Sequence, residues 1–118
     1  MEALTKKIQA RFYLNQSGNN PVRDWIMELP EFDRKAVGIA IQKVELGWPI
    51  GMPYSRKLES NLWEVRANLA DGKIARIIFT LVNDEMILLS SFIKKTQKTP
   101  STELEIARKR LKDINDEQ

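Results

Sequence analysis

Two arginines, Arg66 and Arg76, stand in neighbouring stretches of alternating residues, LWEVRANL at 62–69 and KIARIIFTLV at 73–82. A lysine-rich segment, IKKTQK at 93–98, follows a third stretch. Arginine carries a planar fork of donors that matches phosphate, and lysine a compact charge that gives up its proton more readily when other cations crowd it. Such groups can hold a phosphodiester, stabilise the charge that builds on its oxygens during phosphoryl transfer, and exchange a proton. Arg66 and Arg76 are the candidates for the charge, and Lys94 or Lys95 for the proton. Glu64, two residues from Arg66 and on its face, either neutralises the arginines or serves as an alternative base. Just upstream, Tyr54 offers a ring on which a base can stack, with Arg56 and Lys57 as further cations; Lys98 extends the set downstream. A solvated basic surface with a Glu–Arg–Arg cluster accounts for the same residues without chemistry.

The sequence has no histidine and no cysteine. Imidazole bases and ligands, thiolate nucleophiles, zinc ribbons and disulfides are thereby excluded. Any catalysis is left to Lys, Arg, Tyr, Ser/Thr and carboxylates, with a metal held by oxygen ligands alone still open.

Charge points the same way. The net charge is +3, and residues 1–50 carry 7 basic against 6 acidic groups, residues 51–100 carry 8 against 5, and residues 101–118 carry 4 against 5. The excess sits in the middle block, where an anionic partner such as nucleic acid would meet it. The N-terminal MEALTKKIQARF lacks a signal-type apolar run, and no window approaches the roughly 20 apolar residues of a membrane span. A cytoplasmic protein without membrane contact is expected, with residues 1–118 as one domain.

The elements that would position these groups follow in order. Residues 8–15, IQARFYLN, suggest an opening strand ahead of the turn cluster SGNNP. Asn20 and Pro21 start a short helix to Leu29, and a second runs from about Glu31 to Leu46 with Val37, Ala40, Ile41 and Val44 as its apolar stripe and Gly47 as its stop. A loop through Gly51 and Pro53 precedes a three-stranded meander turned at Asp71-Gly72 and Asn83-Asp84. Thr99-Pro100 opens a last helix with Leu104, Ala107, Leu111 and Ile114 on one side; that stripe packs on the sheet or faces a partner.

Register decides where the arginines go. A two-residue loop at Asp71-Gly72 puts Arg66 and Arg76 on opposite faces and buries one of them. A three-residue loop, Ala70 to Gly72 with Gly72 left-handed, sets Arg66 directly opposite Arg76 and gathers Trp63, Val65, Ala67, Ala75, Ile77 and Phe79 on the other face. The second is preferred, because it separates apolar from polar residues and leaves no buried cation. Whether Lys94 or Lys95 shares the arginine face stays open, since a one-residue change at the Asn83-Asp84 turn exchanges them.

The motifs LWEVR at 62–66, IARIIF at 74–79 and above all LLSSFIKKTQKTP at 88–100, followed by ELEIARKR, resemble toxins of the RelE/ParE toxin–antitoxin superfamily. The nearest branch is HigB, with its phage-derived members, and the resemblance covers almost the whole chain. It implies an α+β, RelE-like fold: two N-terminal helices packed on a curved, mainly antiparallel sheet, with a C-terminal helix. It also implies a ribosome-dependent mRNA endonuclease that uses no metal, cleaves by attack of a ribose 2′-hydroxyl on the adjacent phosphate, and is silenced by a cognate HigA-like antitoxin. The ribosome and mRNA are the other implied partners, and a toxin–antitoxin hetero-oligomer is allowed. Arg66 and Arg76 match the strand arginines of the family, and Lys94 and Lys95 stand where relatives place a His-Arg or His-Tyr pair. A ParE-like gyrase inhibitor and a non-catalytic, phage-derived RNA-binding module are the alternatives.

Overall fold

The computed structural model, which describes residues 5–94 and 99–116, begins with strand β1 (Gln9–Phe12) and helices α1 (Pro21–Met27) and α2 (Glu31–Gly47). Strands β2 (Ser55–Glu59), β3 (Leu62–Asn68), β4 (Ile74–Val82) and β5 (Glu85–Lys94) follow, and helix α3 (Ser101–Asp116) ends the chain. The five strands form one sheet in the order β1-β5-β4-β3-β2; only the β1–β5 pairing is parallel. The architecture is α+β and matches the RelE-like fold expected from the resemblance.

Local chemistry explains most boundaries. Pro21 occupies the first turn of α1, where its missing N–H is not needed. The opening strand is shorter than the expected 8–15: the Tyr13 N–H still donates to the Leu88 carbonyl at 3.0 Å, and the chain then turns at Asn15–Gly18, where the Gly18 N–H donates to the Asn15 carbonyl at 3.0 Å. Strand β2 is the element the alternation missed: SRKLE sets Arg56 beside Lys57, and it becomes a strand through its pairing with β3. The meander therefore has four strands.

Two apolar clusters lie on opposite sides of the sheet. Val22, Ile26, Val37, Ile41 and Val44 from α1 and α2 pack on Val65, Ala67, Ala75, Ile77, Phe79, Met86 and Leu88. Ala107 and Ile114 of α3, flanked by Leu104 and Leu111, pack on Leu62, Ile78, Ile87, Leu89 and Phe92. Each fully buried aliphatic side chain contributes about 1.5–3 kcal/mol, so the stripe of α3 is used on the sheet.

The β3–β4 connection has the preferred register. Arg66 opposes Arg76 and Ala67 opposes Ala75, around a three-residue turn, Ala70–Gly72. Gly72 is left-handed with φ 73°, and Asp71 joins it at φ 61°. The buried Asp33 of α2 clamps this turn, accepting the Ala70 N–H at 2.8 Å. Asp33→Ala removes that acceptor and is expected to lower stability by about 1–3 kcal/mol, readable as a shifted urea midpoint, whereas Asp33→Asn retains most of it.

One expectation fails here. The preferred register does bury a cation, because Arg76 is only 1% exposed. The face that carries it is not open: α3 covers much of it, and Glu64, itself 0% exposed, neutralises the guanidinium inside.

The β4–β5 register settles the lysine parity. Val82 opposes Glu85 across a two-residue turn at Asn83-Asp84, but Ile78 opposes Ser90 while Phe79 opposes Leu88, leaving Leu89 as a β-bulge. The extra residue reverses the alternation beyond it. Phe92 then opposes Arg76 and Lys94 opposes Ile74, so Lys94 joins the arginine face. Arg110 of α3 donates to the Leu89 carbonyl at 2.6 Å and so anchors the bulge.

Candidate functional site

The sheet face bearing α3 also carries a group of charges, at the side where the chain enters that helix. Glu64 sits on β3 with Arg56 directly opposite on β2 and Arg76 diagonally across on β4. Its Oε2 accepts from the Arg76 Nη1 and lies 3.1 Å from the Arg56 Nη2. Its Oε1 accepts from the Thr99 hydroxyl at 3.2 Å, which ties the segment leading into α3 to the same carboxylate. Both oxygens are engaged, so Glu64 is not free to act as a base. It is the counter-charge that allows two guanidinium groups to share this face.

Arg66 and Lys94 complete the group. Arg66 is half-buried, opposes Arg76 and directs its Nη1 toward the Met52 sulfur at 3.4 Å. Lys94 is half-buried at the end of β5. Burial holds its ammonium below the usual lysine range, and Arg76, Arg56 and Arg66 push it further down against the opposing pull of Glu64. Burial also lowers the Arg76 guanidinium from its ordinary value, offset by Glu64 and reinforced by Arg66 and Arg56. Four cations thus surround one carboxylate. The Nε atoms of Arg56 and Arg76 are buried without a hydrogen-bond partner among the described residues.

The residues singled out in the sequence divide by position. Arg56, Arg66, Arg76 and Lys94 come together. Tyr54 does not join them; it lines a neighbouring groove of about 320 Å³ between α2 and β3, with Arg66 and with Lys43, whose Nζ lies 5.2 Å from the Tyr54 ring centre. Lys57 is turned to the opposite face, over the Trp63 ring at 5.6 Å. Lys95 and Lys98 lie outside the described residues.

Thr99 and Lys43 were not foreseen. Lys43 carries no sequence signal beyond its place on the polar side of α2. In the sequence Thr99 signals only the opening of the last helix, and the tertiary approach of its hydroxyl to Glu64 gives it a second role. The sequence marks Arg56 only as a further cation near Tyr54, and its pairing with Glu64 follows from β2, a strand that alternation does not announce.

Among the described residues no group of three or more acidic side chains could hold a metal ion, and no helix is long and apolar enough to cross a membrane. The cluster is a site of fixed positive charge: one buried arginine held by a carboxylate, and three partly exposed cations around it. It can bind an anion with more than one negatively charged oxygen and can stabilise charge added to it.

A comparison with curated proteins found no match. Residues 24–112 match the family described as phage derived protein Gp49-like (DUF891), and that stretch includes Arg56, Glu64, Arg66, Arg76, Lys94 and Thr99. The order of elements, the arginine pair on adjacent strands and this match agree, and the chain belongs to the Gp49-like family, a family of RelE/HigB-like toxins of toxin–antitoxin modules whose membership implies an antitoxin partner.

Proposed function

We propose that this toxin is an endoribonuclease of the HigB type, which cuts mRNA in the cytoplasm on the ribosome and is neutralised by a HigA-like antitoxin. The observation that carries the reading is the cluster of Arg56, Arg66, Arg76 and Lys94 around the buried carboxylate of Glu64. Like charges directly opposed on neighbouring strands destabilise a sheet. An Arg66–Arg76 pair with a third arginine and a lysine beside it is therefore an arrangement that folding does not favour and an anion rewards.

The chemistry follows from the positions. A ribose 2′-hydroxyl attacks the adjacent phosphorus, the bond from phosphorus to the 5′-oxygen breaks, and a 2′,3′-cyclic phosphate and a 5′-hydroxyl result. Arg66 and Arg56, partly exposed, contact the non-bridging oxygens, and Arg76 acts from behind, holding Glu64 and adding its field. Lys94, in its neutral form, takes the proton of the 2′-hydroxyl, and the departing 5′-oxygen is protonated by solvent or by Lys95. Lys98 contributes phosphate contact, while Tyr54 contributes a ring on which a base stacks beside the cluster.

A base that works neutral gives a rate that climbs with pH. Because the Lys94 pKa lies below the ordinary lysine value, that climb is expected to centre below the usual lysine range. Lys94→Arg keeps the charge but cannot deprotonate in this range, so it is expected to flatten the profile and lower the rate by about 10²–10⁴-fold. The decisive experiment is mapping of mRNA 5′ ends after brief induction in cells. Cuts inside translated frames, lost in Lys94→Arg and Arg66→Ala, support the proposal; arrested growth with intact messages and altered DNA supercoiling overturns it in favour of a gyrase inhibitor.

A further inference from the structure

We infer that the outer edge of β2, together with the indole-lined groove beside it, is the docking site for an extended acidic segment of the partner protein, which pairs with the edge as an added strand. The inference rests on family membership for the existence of a protein partner, and on geometry for its place and chemistry.

Strand β2 is the end strand of the sheet. The Arg66 N–H donates to the Tyr54 carbonyl at 3.0 Å, and Arg56 opposes Glu64. Hydrogen-bonding direction alternates along an antiparallel strand, so Arg56 faces β3 while Ser55 and Lys57 face outward. Ser55 is covered: its N–H donates to the Gly51 carbonyl at 3.2 Å, and its hydroxyl to the Ile50 carbonyl. Lys57 is the next outward position, and among the described residues the loop makes no further backbone bond there.

Beside this edge lies a groove of about 600 Å³ lined by Trp48, Ile50, Met52 and Trp63, with Arg56 and Lys57 as its charged members and no carboxylate in its lining. A strand edge offers alternating N–H donors and carbonyl acceptors. A peptide strand answers both, whereas the phosphates of RNA answer only donors, so the edge favours protein over nucleic acid. The apolar lining takes alternate side chains of the added strand, and the two cations select acidic residues between them. Occupancy also covers Arg56, a member of the charge cluster, which links docking to inhibition.

The test uses purified full-length toxin and a capped synthetic octapeptide of alternating Glu and Val, with its Lys/Val counterpart and a 2′-O-methyl oligouridine as competitors, followed by amide NMR and tryptophan fluorescence. The expected result is saturable binding of the Glu/Val peptide, with shifts at Ser55, Lys57 and Trp63 and slowed exchange of the Lys57 N–H. Lys57→Pro, which removes only an outward N–H at an edge position where proline is tolerated, is expected to weaken binding at least 10-fold. Lys57→Glu should do so at least 5-fold without disturbing the backbone, and serves if the proline variant misfolds. Equal binding of the Lys/Val peptide, binding of the oligouridine at this edge in place of the peptide, or no saturable binding by wild type overturns the inference. The outcome is separable from nuclease activity: peptide binding without cleavage leaves this inference standing, and cleavage without peptide binding removes it alone.

Discussion

Glu64→Ala is expected to lower the stability of the folded protein by about 3–5 kcal/mol, the usual cost of removing one partner from a buried charge pair. The carboxylate is 0% exposed and answers Arg76, itself 1% exposed, together with Arg56 and Thr99. Deleting it leaves the Arg76 guanidinium uncompensated and facing Arg66 on the neighbouring strand. Natural domains are stable by about 5–15 kcal/mol, so the variant should sit near the limit of folding. Urea denaturation followed by tryptophan fluorescence reads this as a large fall in midpoint. Glu64→Gln keeps acceptor and shape but not charge, and should fall between the two. A Glu64→Ala protein as stable as wild type means that the Arg76–Glu64 pair does not anchor this face.

Arg66→Ala is expected to do the reverse, a contrast that would mark Arg66 as a functional rather than a stabilising member of the cluster. Arg66 is partly exposed, and its opposition to Arg76 costs a few tenths to about 1 kcal/mol. Its removal should raise the denaturation midpoint slightly. Under the proposed chemistry the same change removes a preorganised cation from the phosphate, and cleavage should fall about 10²–10³-fold, the effect of losing one such donor. Arg66→Lys retains charge without the fork and is expected to recover only part of the rate. The measurement pairs a urea curve with a ribosome-dependent cleavage assay on the same preparation. Unchanged cleavage in a stable Arg66→Ala protein removes this residue from the mechanism, and reduced stability removes the repulsion argument.

How the site was legible in the sequence depends on the residue. The Arg66–Arg76 opposition could be read from one turn and one alternation, because a three-residue loop with Gly72 left-handed is the arrangement that puts Trp63, Val65 and Ala67 together with Ala75, Ile77 and Phe79. The expectation that this register leaves no buried cation fails because α3 packs on the arginine face, a long-range contact that neither alternation nor turn chemistry reports. Strands β4 and β5 meet apolar side chains on both faces, and IARIIFTLV and MILLSSF carry the corresponding breakdown of alternation.

The sequence by itself determined the types of group available: no imidazole or thiol, an excess of cations in the middle block, arginines on consecutive strands, and a lysine pair just after the third. Alternation and turn chemistry are local, and they carry this information within a few residues. The tertiary structure alone decided which lysine faces the arginines, since a single bulge at Leu89, anchored from α3 by Arg110, moves every later side chain of β5 to the other face. It alone decided that Glu64 is a buried counter-ion shared by Arg56, Arg76 and Thr99. Those partners lie from 8 to 35 positions away along the chain, and ion pairing across strands depends on how strands assemble rather than on what each one spells.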